Sequence, residues 1–202
     1  MNENIKKPAG APREDAILIR AYQEGDKAAF DQLVLKHQNR LFNLCYRLLG
    51  DYQEANDSAQ ETFIKVYRSL KRFRFESAFS TWLYRIAVNT CKNRLKSSAH
   101  RHKERMVSLG NPVSPHVGSP ALEIQDEGPS PVVELEKKEI MSAIQEAINT
   151  LPPEQKEVVA LRDIEGFSYE EIVEITGFNV GTVKSRLARA RLDLRTKLRS
   201  VM

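Results

Sequence analysis

Between Asp26 and Leu109 the chain has no proline and a single glycine, Gly50. Short strands and tight turns need those residues as punctuation, so so long a breaker-poor stretch cannot be built from them. Its apolar residues recur instead at the spacing of a helix face. Phe30, Leu33, Val34, His37, Leu41, Leu44, Cys45 and Leu48 make one face, and Gly50-Asp51 then breaks the chain. Ala55, Ala59, Thr62, Phe63, Val66 and Leu70 make a second, and Trp82, Leu83, Ile86, Ala87, Thr90 and Leu95 a third. The stretch is predicted to fold as long helices without a sheet.

Residues 107–133 reverse this composition. Five of the nine prolines (Pro112, Pro115, Pro120, Pro129, Pro131) fall there among Gly and Ser, with few large apolar residues. Such a segment cannot bury enough surface to offset its chain entropy, which predicts a flexible linker. As a coil it would average roughly 30 Å end to end, and it could stretch to about 90 Å. Helical patterning then resumes with Ile140, Ala143, Ile144, Ala147, Ile148 and Leu151 up to Pro152. Pro153 suits the first turn of a further helix bearing Val158, Val159, Leu161 and Ile164 up to Gly166. The expectation is an all-α protein of two small helical domains. A flexible tail covers 1–15, the first domain 16–98, a flexible linker 99–133 and the second domain 134–202.

Within the second domain, Gly166-Phe-Ser-Tyr-Glu-Glu-Ile172 and Gly177-Phe-Asn-Val-Gly-Thr-Val-Lys-Ser-Arg186 read as helix, tight turn, helix. Ser168 can cap the first helix, and Glu170 and Glu171 suit its positive end. Gly177 can end it in a left-handed conformation. The second helix is predicted to bury Val180, Val183, Leu187, Ala190, Leu194, Leu198 and Val201. Its other face carries Thr182, Lys184, Ser185, Arg186, Arg189 and Arg191, the layout of a helix-turn-helix whose second helix enters the major groove. A helical hairpin with a basic solvent face would also satisfy the pattern.

Charge favours the nucleic-acid reading. The net charge of +4 is mild. It is concentrated, however, at Lys184, Arg186, Arg189, Arg191, Arg195, Lys197 and Arg199 against Asp193 alone, and at Arg85, Lys92, Arg94, Lys96, Arg101, Lys103 and Arg105 against Glu104 alone. Two basic zones bracketing a segment without Lys or Arg suggest two contacts with one polyanion. Cys45 and Cys91 sit in apolar helical patterns with no ligand spacing, so both are read as core and no metal is expected. His37 lies on the apolar side of its helix as a satisfied, partly buried histidine. No apolar run approaches membrane-spanning length and the N-terminus lacks a signal core, which predicts a soluble, cytoplasmic protein without direct membrane insertion.

Two segments exceed what a helical bundle requires. In Asp57-Ser-Ala-Gln-Glu-Thr-Phe-Ile-Lys-Val-Tyr67, the residues Asp57, Glu61, Lys65 and Arg68 line the side away from Ala59, Phe63 and Val66. Taken alone they read as a solvated face of i,i+4 pairs. In Phe73-Arg-Phe-Glu-Ser-Ala-Phe-Ser-Thr-Trp-Leu-Tyr-Arg-Ile-Ala-Val-Asn89, an aromatic cluster precedes Arg85, Asn89, Lys92 and Lys96 on one helix face. Unstacked bases pack on aromatic rings while basic side chains hold phosphates, so this layout fits single-stranded nucleic acid. Phe79, Trp82 and Tyr84 would serve equally as core and boundary residues.

DSAQETFIKVY, then FSTWLYRIAVNTCKNRLK, a linker, and LPPEQKEVVALRDIEGFSYEEIVEITGFNVGTVKSRLARAR closely resemble the extracytoplasmic-function class of bacterial RNA polymerase sigma factors. The resemblance covers 16–98 and 134–200. It implies a promoter-specificity factor, serving a stress or envelope response, that promotes transcription initiation with core RNA polymerase. Asp57, Gln60, Glu61, Ile64 and Lys65 would dock on the clamp coiled coil of the polymerase, with the flap as a second contact. Phe73, Arg74, Ser77, Ala78, Phe79, Trp82, Arg85, Asn89 and Lys92 would open the −10 element and hold melted single strand. Thr182, Lys184, Ser185, Arg186 and Arg189 would read the −35 duplex. The elements lie one to two duplex turns apart, roughly 35–70 Å, which the linker can span. An anti-sigma factor as regulator is also implied.

Neither a catalytic residue nor a cofactor is expected, since no phosphate-cradling glycine loop or activated nucleophile is visible. Two positions depart from the family pattern. Phe75 stands where many members have glycine, in the loop that chooses the flipped base, and Val173 stands where alanine is usual. The alternative function is a helix-turn-helix transcriptional regulator not associated with core polymerase, which would need a ligand pocket or receiver pattern in 16–98. An enzyme acting on nucleic acid would need clustered carboxylates or a metal site.

Overall fold

The computed structural model describes the backbone of residues 11–108 and 131–199, and the side chains of 13–97 and 140–199. The helices are α1 (Ala11–Glu24), α2 (Ala28–Leu49), α3 (Tyr52–Leu70), α4 (Phe79–Ser108), α5 (Pro131–Asn149), α6 (Pro153–Val159), α7 (Tyr169–Thr176) and α8 (Val180–Leu198). A π-helical turn, Ala160–Ile164, continues α6. No strand occurs among the described residues.

Local chemistry sets most of the boundaries. Gly50, at φ 74°, closes α2 with its N–H on the Tyr46 carbonyl at 2.8 Å. A side chain would strain this left-handed backbone and would also drive a Cβ to 2.7 Å from Asn149 Oδ1. Asp51 then caps α3 by accepting from the Glu54 amide at 2.8 Å. Ser168 and Glu171 form a reciprocal capping box at the start of α7, at 3.1 and 2.8 Å. Gly177, at φ 75°, ends α7, and Asn179 caps α8 through the Thr182 amide at 2.7 Å.

The first unit packs α1, α2, α3 and α4 around Ile19, Leu33, Leu41, Leu44, Leu70 and Leu83. His37 is satisfied as expected, with Nε2 3.1 Å from Asp15 Oδ2, and is buried rather than partly buried. The second unit packs α5 to α8 around Leu161, Ile172, Ile175, Val183 and Leu187. These two sets of core residues belong to one continuous buried cluster. Helix α4 lies on α7, and α2 meets α5, α6 and the π-helical turn.

Several expectations need correction. Helix α1 begins inside the segment read as a tail, because Asp15, Ile19 and Tyr22 are buried against the bundle. Helix α4 continues past residue 98 to Ser108, since no proline or glycine interrupts 99–108, and α5 opens at Pro131. Residues 109–130, the rest of the expected linker, lie outside the described residues, as does Val201. Val180 is 39% exposed rather than buried, because the first turn of α8 projects past the core. Ile140, Ile164 and Leu95 are also exposed, each at the margin of its helix's apolar face.

Candidate polymerase and nucleic-acid interface

The expected polymerase-binding residues divide between two surfaces. Gln60 is exposed and lines a groove of about 390 Å³ between α2 and α3, with Val34, Asn39, Phe42, Asn56 and Phe63 around it. Asp57 instead accepts from Arg94 Nη2 on α4 at 2.7 Å, and Glu54 accepts from Nε of the same guanidinium. Lys65 pairs with Glu61 at 2.7 Å and donates to the Thr90 hydroxyl at 3.0 Å. Two residues of the α3 side read as a solvated charged face, Asp57 and Lys65, are therefore tied to α4. Ile64 stands free of this network at 51% exposure. Sequence reasoning missed the groove residues Asn39, Phe42, Asn43 and Asn56. The available signal was amides recurring at helical spacing along the edge of each apolar face.

In the loop between α3 and α4, Phe73 and Phe79 are buried and pack with Trp82, at ring-centroid separations of 5.0 to 6.2 Å. As largely buried residues these two shape the loop, and their edges line the cavities beside it. Trp82, half-buried, lines an open cavity of about 360 Å³ with Ser69, Arg72, Arg74, Ser77 and Arg85. Arg74, Ala78, Arg85 and Asn89 are exposed. Phe75 takes a left-handed backbone at φ 60°, and its ring lies edge-on to Phe73 and under the Arg20 guanidinium at 5.5 Å. Aromatic and cationic contacts thus hold open a conformation that glycine would adopt without strain.

Tyr84 and Lys92 turn toward the second unit. Tyr84 is 2% exposed and its hydroxyl donates to Glu165 at 2.8 Å. Burial, together with that carboxylate, pushes the phenol well above its ordinary value. Lys92 pairs with Glu157 of α6 at 3.0 Å and lies 5.0 Å from the Phe178 ring centroid. Burial pushes the Glu157 carboxyl upward, an effect that Lys92 partly opposes.

On α8, Lys184, Ser185 and Arg189 are exposed and Thr182 is half-buried. Arg186 pairs with Glu154 and stacks over Phe178 at 4.0 Å, and Arg191 pairs with Asp163 at 2.5 Å. Lys184, Ser185 and Arg189 therefore form the outward edge of the helix, while Arg186 and Arg191 brace it on α6 and the π-helical turn. Cys45 and Cys91 are buried free thiols, and the hydrogen bond with Cys45, together with burial, pushes the Cys91 thiol up. Among the described residues, no group of three or more His, Cys, Asp or Glu is placed to hold a metal ion. None of the described helices is long and apolar enough to cross a membrane.

The family model for Sigma-70 region 2 matches residues 33–101, and that for Sigma-70, region 4 matches 141–194. The RNA polymerase sigma-H factor of Pseudomonas aeruginosa is 43% identical over 178 residues, covering 88% of this chain and 90% of that protein. The ECF RNA polymerase sigma-E factor of Haemophilus influenzae is 39% identical over 188 residues, 93% of this chain and 97% of the relative. Among solved structures, the sigma factor RpoE in complex with the anti-sigma factor NepR from Bartonella quintana is similar at a TM-score of 0.63 and 26% identity. That match covers 84% of this chain and 96% of the other. Matched regions of both models fall on the two helical units, and the relatives span nearly the whole sequence. The chain belongs to the extracytoplasmic-function class of RNA polymerase sigma factors, the promoter-specificity subunits of transcription.

Proposed function

We propose that the two units form a two-point promoter grip on core RNA polymerase. The groove between α2 and α3, with Gln60 and the braced Asp57, Glu61, Ile64 and Lys65 beside it, docks on the clamp coiled coil. The second unit meets the flap. Trp82, Arg74 and Arg85, set around the cavity in the α3–α4 loop, hold melted −10 strand with exposed Asn89 further along α4, while Phe73 and Ser77 shape that cavity, Ala78 and Phe79 line the adjoining one, and Lys92 takes a backbone phosphate. Lys184, Ser185 and Arg189, with Thr182 beside them, face the −35 duplex, and Arg186 braces the helix that carries them. The observation that carries this reading is the pairing, on one chain, of an exposed aromatic–arginine cavity with an exposed basic edge of a capped helix-turn-helix.

The chain supplies no bond-making chemistry, which belongs to the polymerase, and it acts in the cytoplasm. Its regulator is an anti-sigma protein that covers the polymerase-binding faces in a stress or envelope response; the similar Bartonella sigma factor is likewise found in complex with an anti-sigma factor. Run-off transcription tests the grip. Adding the chain to core polymerase should give promoter-dependent transcripts that Trp82→Ala and Arg189→Ala both weaken. A regulator independent of the polymerase would leave core enzyme unable to initiate at any genomic fragment.

A further inference from the structure

We infer that the loop between α3 and α4 carries a second base pocket on its α1 side. It takes an unstacked, amine-bearing base of the melted strand, with Phe75 as the stacking ring and Arg20 at the neighbouring phosphate. The inference rests on the promoter-grip reading for the presence of that strand, while Arg20, Phe75 and Glu76 have no part in the grip itself. The pocket is a cavity of about 360 Å³, separate from the one around Trp82. Ile19 of α1 and the rings of Phe73, Phe75 and Phe79 line it, and Glu76 and Ser77 are its polar groups. Phe73, Glu76 and Ser77 also line the Trp82 cavity, so the loop itself partitions the two. Neighbouring nucleotides of one strand can then lie on either side of it.

The wall that makes this cavity a pocket is a residue in an unfavourable backbone. Phe75 sits at φ 60°, and a bulky residue there is an outlier that persists only where its surroundings hold it; such residues cluster at ligand clamps. Glycine would make the same turn without strain and leave this side without a ring. The Phe75 ring is 38% exposed, so part of it is open to a base. Helix α1 fixes the loop from behind: Gln23 Nε2 donates to the Phe73 carbonyl at 2.9 Å and to the Leu70 carbonyl at 3.2 Å. The pocket is therefore built before any strand arrives, and stacking on a preformed ring costs little ordering. Arg20 is exposed, lies 5.5 Å from the Phe75 ring centroid and makes no ion pair among the described residues, which leaves its charge for a phosphate. Glu76 stands 4.0 Å from Arg74 with both side chains exposed, so its carboxylate is not tied up. A carboxylate only accepts hydrogen bonds, so it favours the exocyclic amine of cytosine or adenine over the carbonyl oxygens of thymine.

The test uses the full chain, free and bound to core polymerase, with labelled oligo(dC), oligo(dA) and oligo(dT) of about a dozen nucleotides. By fluorescence anisotropy the free chain should bind the first two about fivefold more tightly than oligo(dT). Phe75→Gly should weaken oligo(dC) binding about tenfold, whereas Phe75→Tyr, which keeps the ring, should stay within about twofold of wild type. Glu76→Gln can donate as well as accept, and should erase the preference against oligo(dT). Arg20→Gln should weaken all three alike and lower the salt slope of binding by about one charge. In the polymerase-bound chain, oligo(dC) carrying 5-iodocytosine should photo-cross-link to Phe75 as well as to Trp82, identified by mass spectrometry. A cross-link to Trp82 alone would overturn the second pocket and leave the grip standing. So would binding that Trp82→Ala weakens and Phe75→Gly does not. A wild-type chain that binds no oligonucleotide in either form and gives no promoter-dependent transcript would overturn both.

Discussion

Phe75 shows how one residue can be held against its own preference. At φ 60° a non-glycine residue pays for the left-handed backbone, and the edge contact with Phe73 and the Arg20 guanidinium offset that cost. Phe75→Ala loses the ring and keeps the strain, whereas Phe75→Gly loses both. In urea unfolding Phe75→Gly should therefore be the more stable of the two by about 1 kcal/mol. Equal stabilities would mean that the backbone relaxes. Asp15 makes a different residue-scale argument. Burial pushes its carboxyl upward, but hydrogen bonds from His37 and Lys36 outweigh this and hold it below the ordinary 3.8. A depressed carboxylate contributes stability above its unfolded value and loses it as pH falls through the folded one. The urea midpoint of the wild type should drop as pH falls below about 4, where the unfolded carboxyl begins to take up protons. Asp15→Asn should start lower and lose less over the same range. A parallel decline in both proteins would remove Asp15 from the acid response.

At the scale of elements, most of the molecule could be read from spacing and capping. The faces of α2 and α3, the Ser168 cap and the left-handed Gly177 follow from chemistry within a few residues of each position. Where reading failed, the deciding partner lay elsewhere in the sequence. Tyr84 could have been a base-stacking ring or core, and only Glu165 and Phe167 decide it. Arg186 and Arg189 share one basic face in the sequence, yet Glu154 and Phe178 engage the first and leave the second exposed. The two should separate experimentally. Arg189→Ala should weaken −35 binding with thermal stability unchanged, and reduce the salt slope of binding by about one charge. Arg186→Ala should also lower stability, by about 1 kcal/mol, through lost packing on Phe178. If both variants bind more weakly at unchanged stability, the bracing role of Arg186 is wrong.

For the whole molecule, composition correctly announced two helical units separated by a proline-rich segment, but not how the units meet. No local pattern links Arg40 to Glu165 or Lys92 to Glu157, because each pair is brought together only by the finished fold. The shared buried cluster has a consequence for unfolding. Two units joined only by a tether would melt independently, whereas units sharing a desolvated interface should melt as one. The isolated chain should then give a single calorimetric transition despite its two units. Tyr84→Phe keeps the ring on Phe167 but removes a hydrogen bond to a buried carboxylate, worth about 2 kcal/mol. For a chain of this size the transition should fall by roughly 4–8 °C while remaining single. Arg40→Glu, which opposes Glu165 directly, should resolve it into two, with the second unit melting first because its short helices α6 and α7 bury less surface of their own. Two transitions in the wild type, unmoved by Tyr84→Phe, would mean that each unit is stable without the other and that the shared core adds nothing to either.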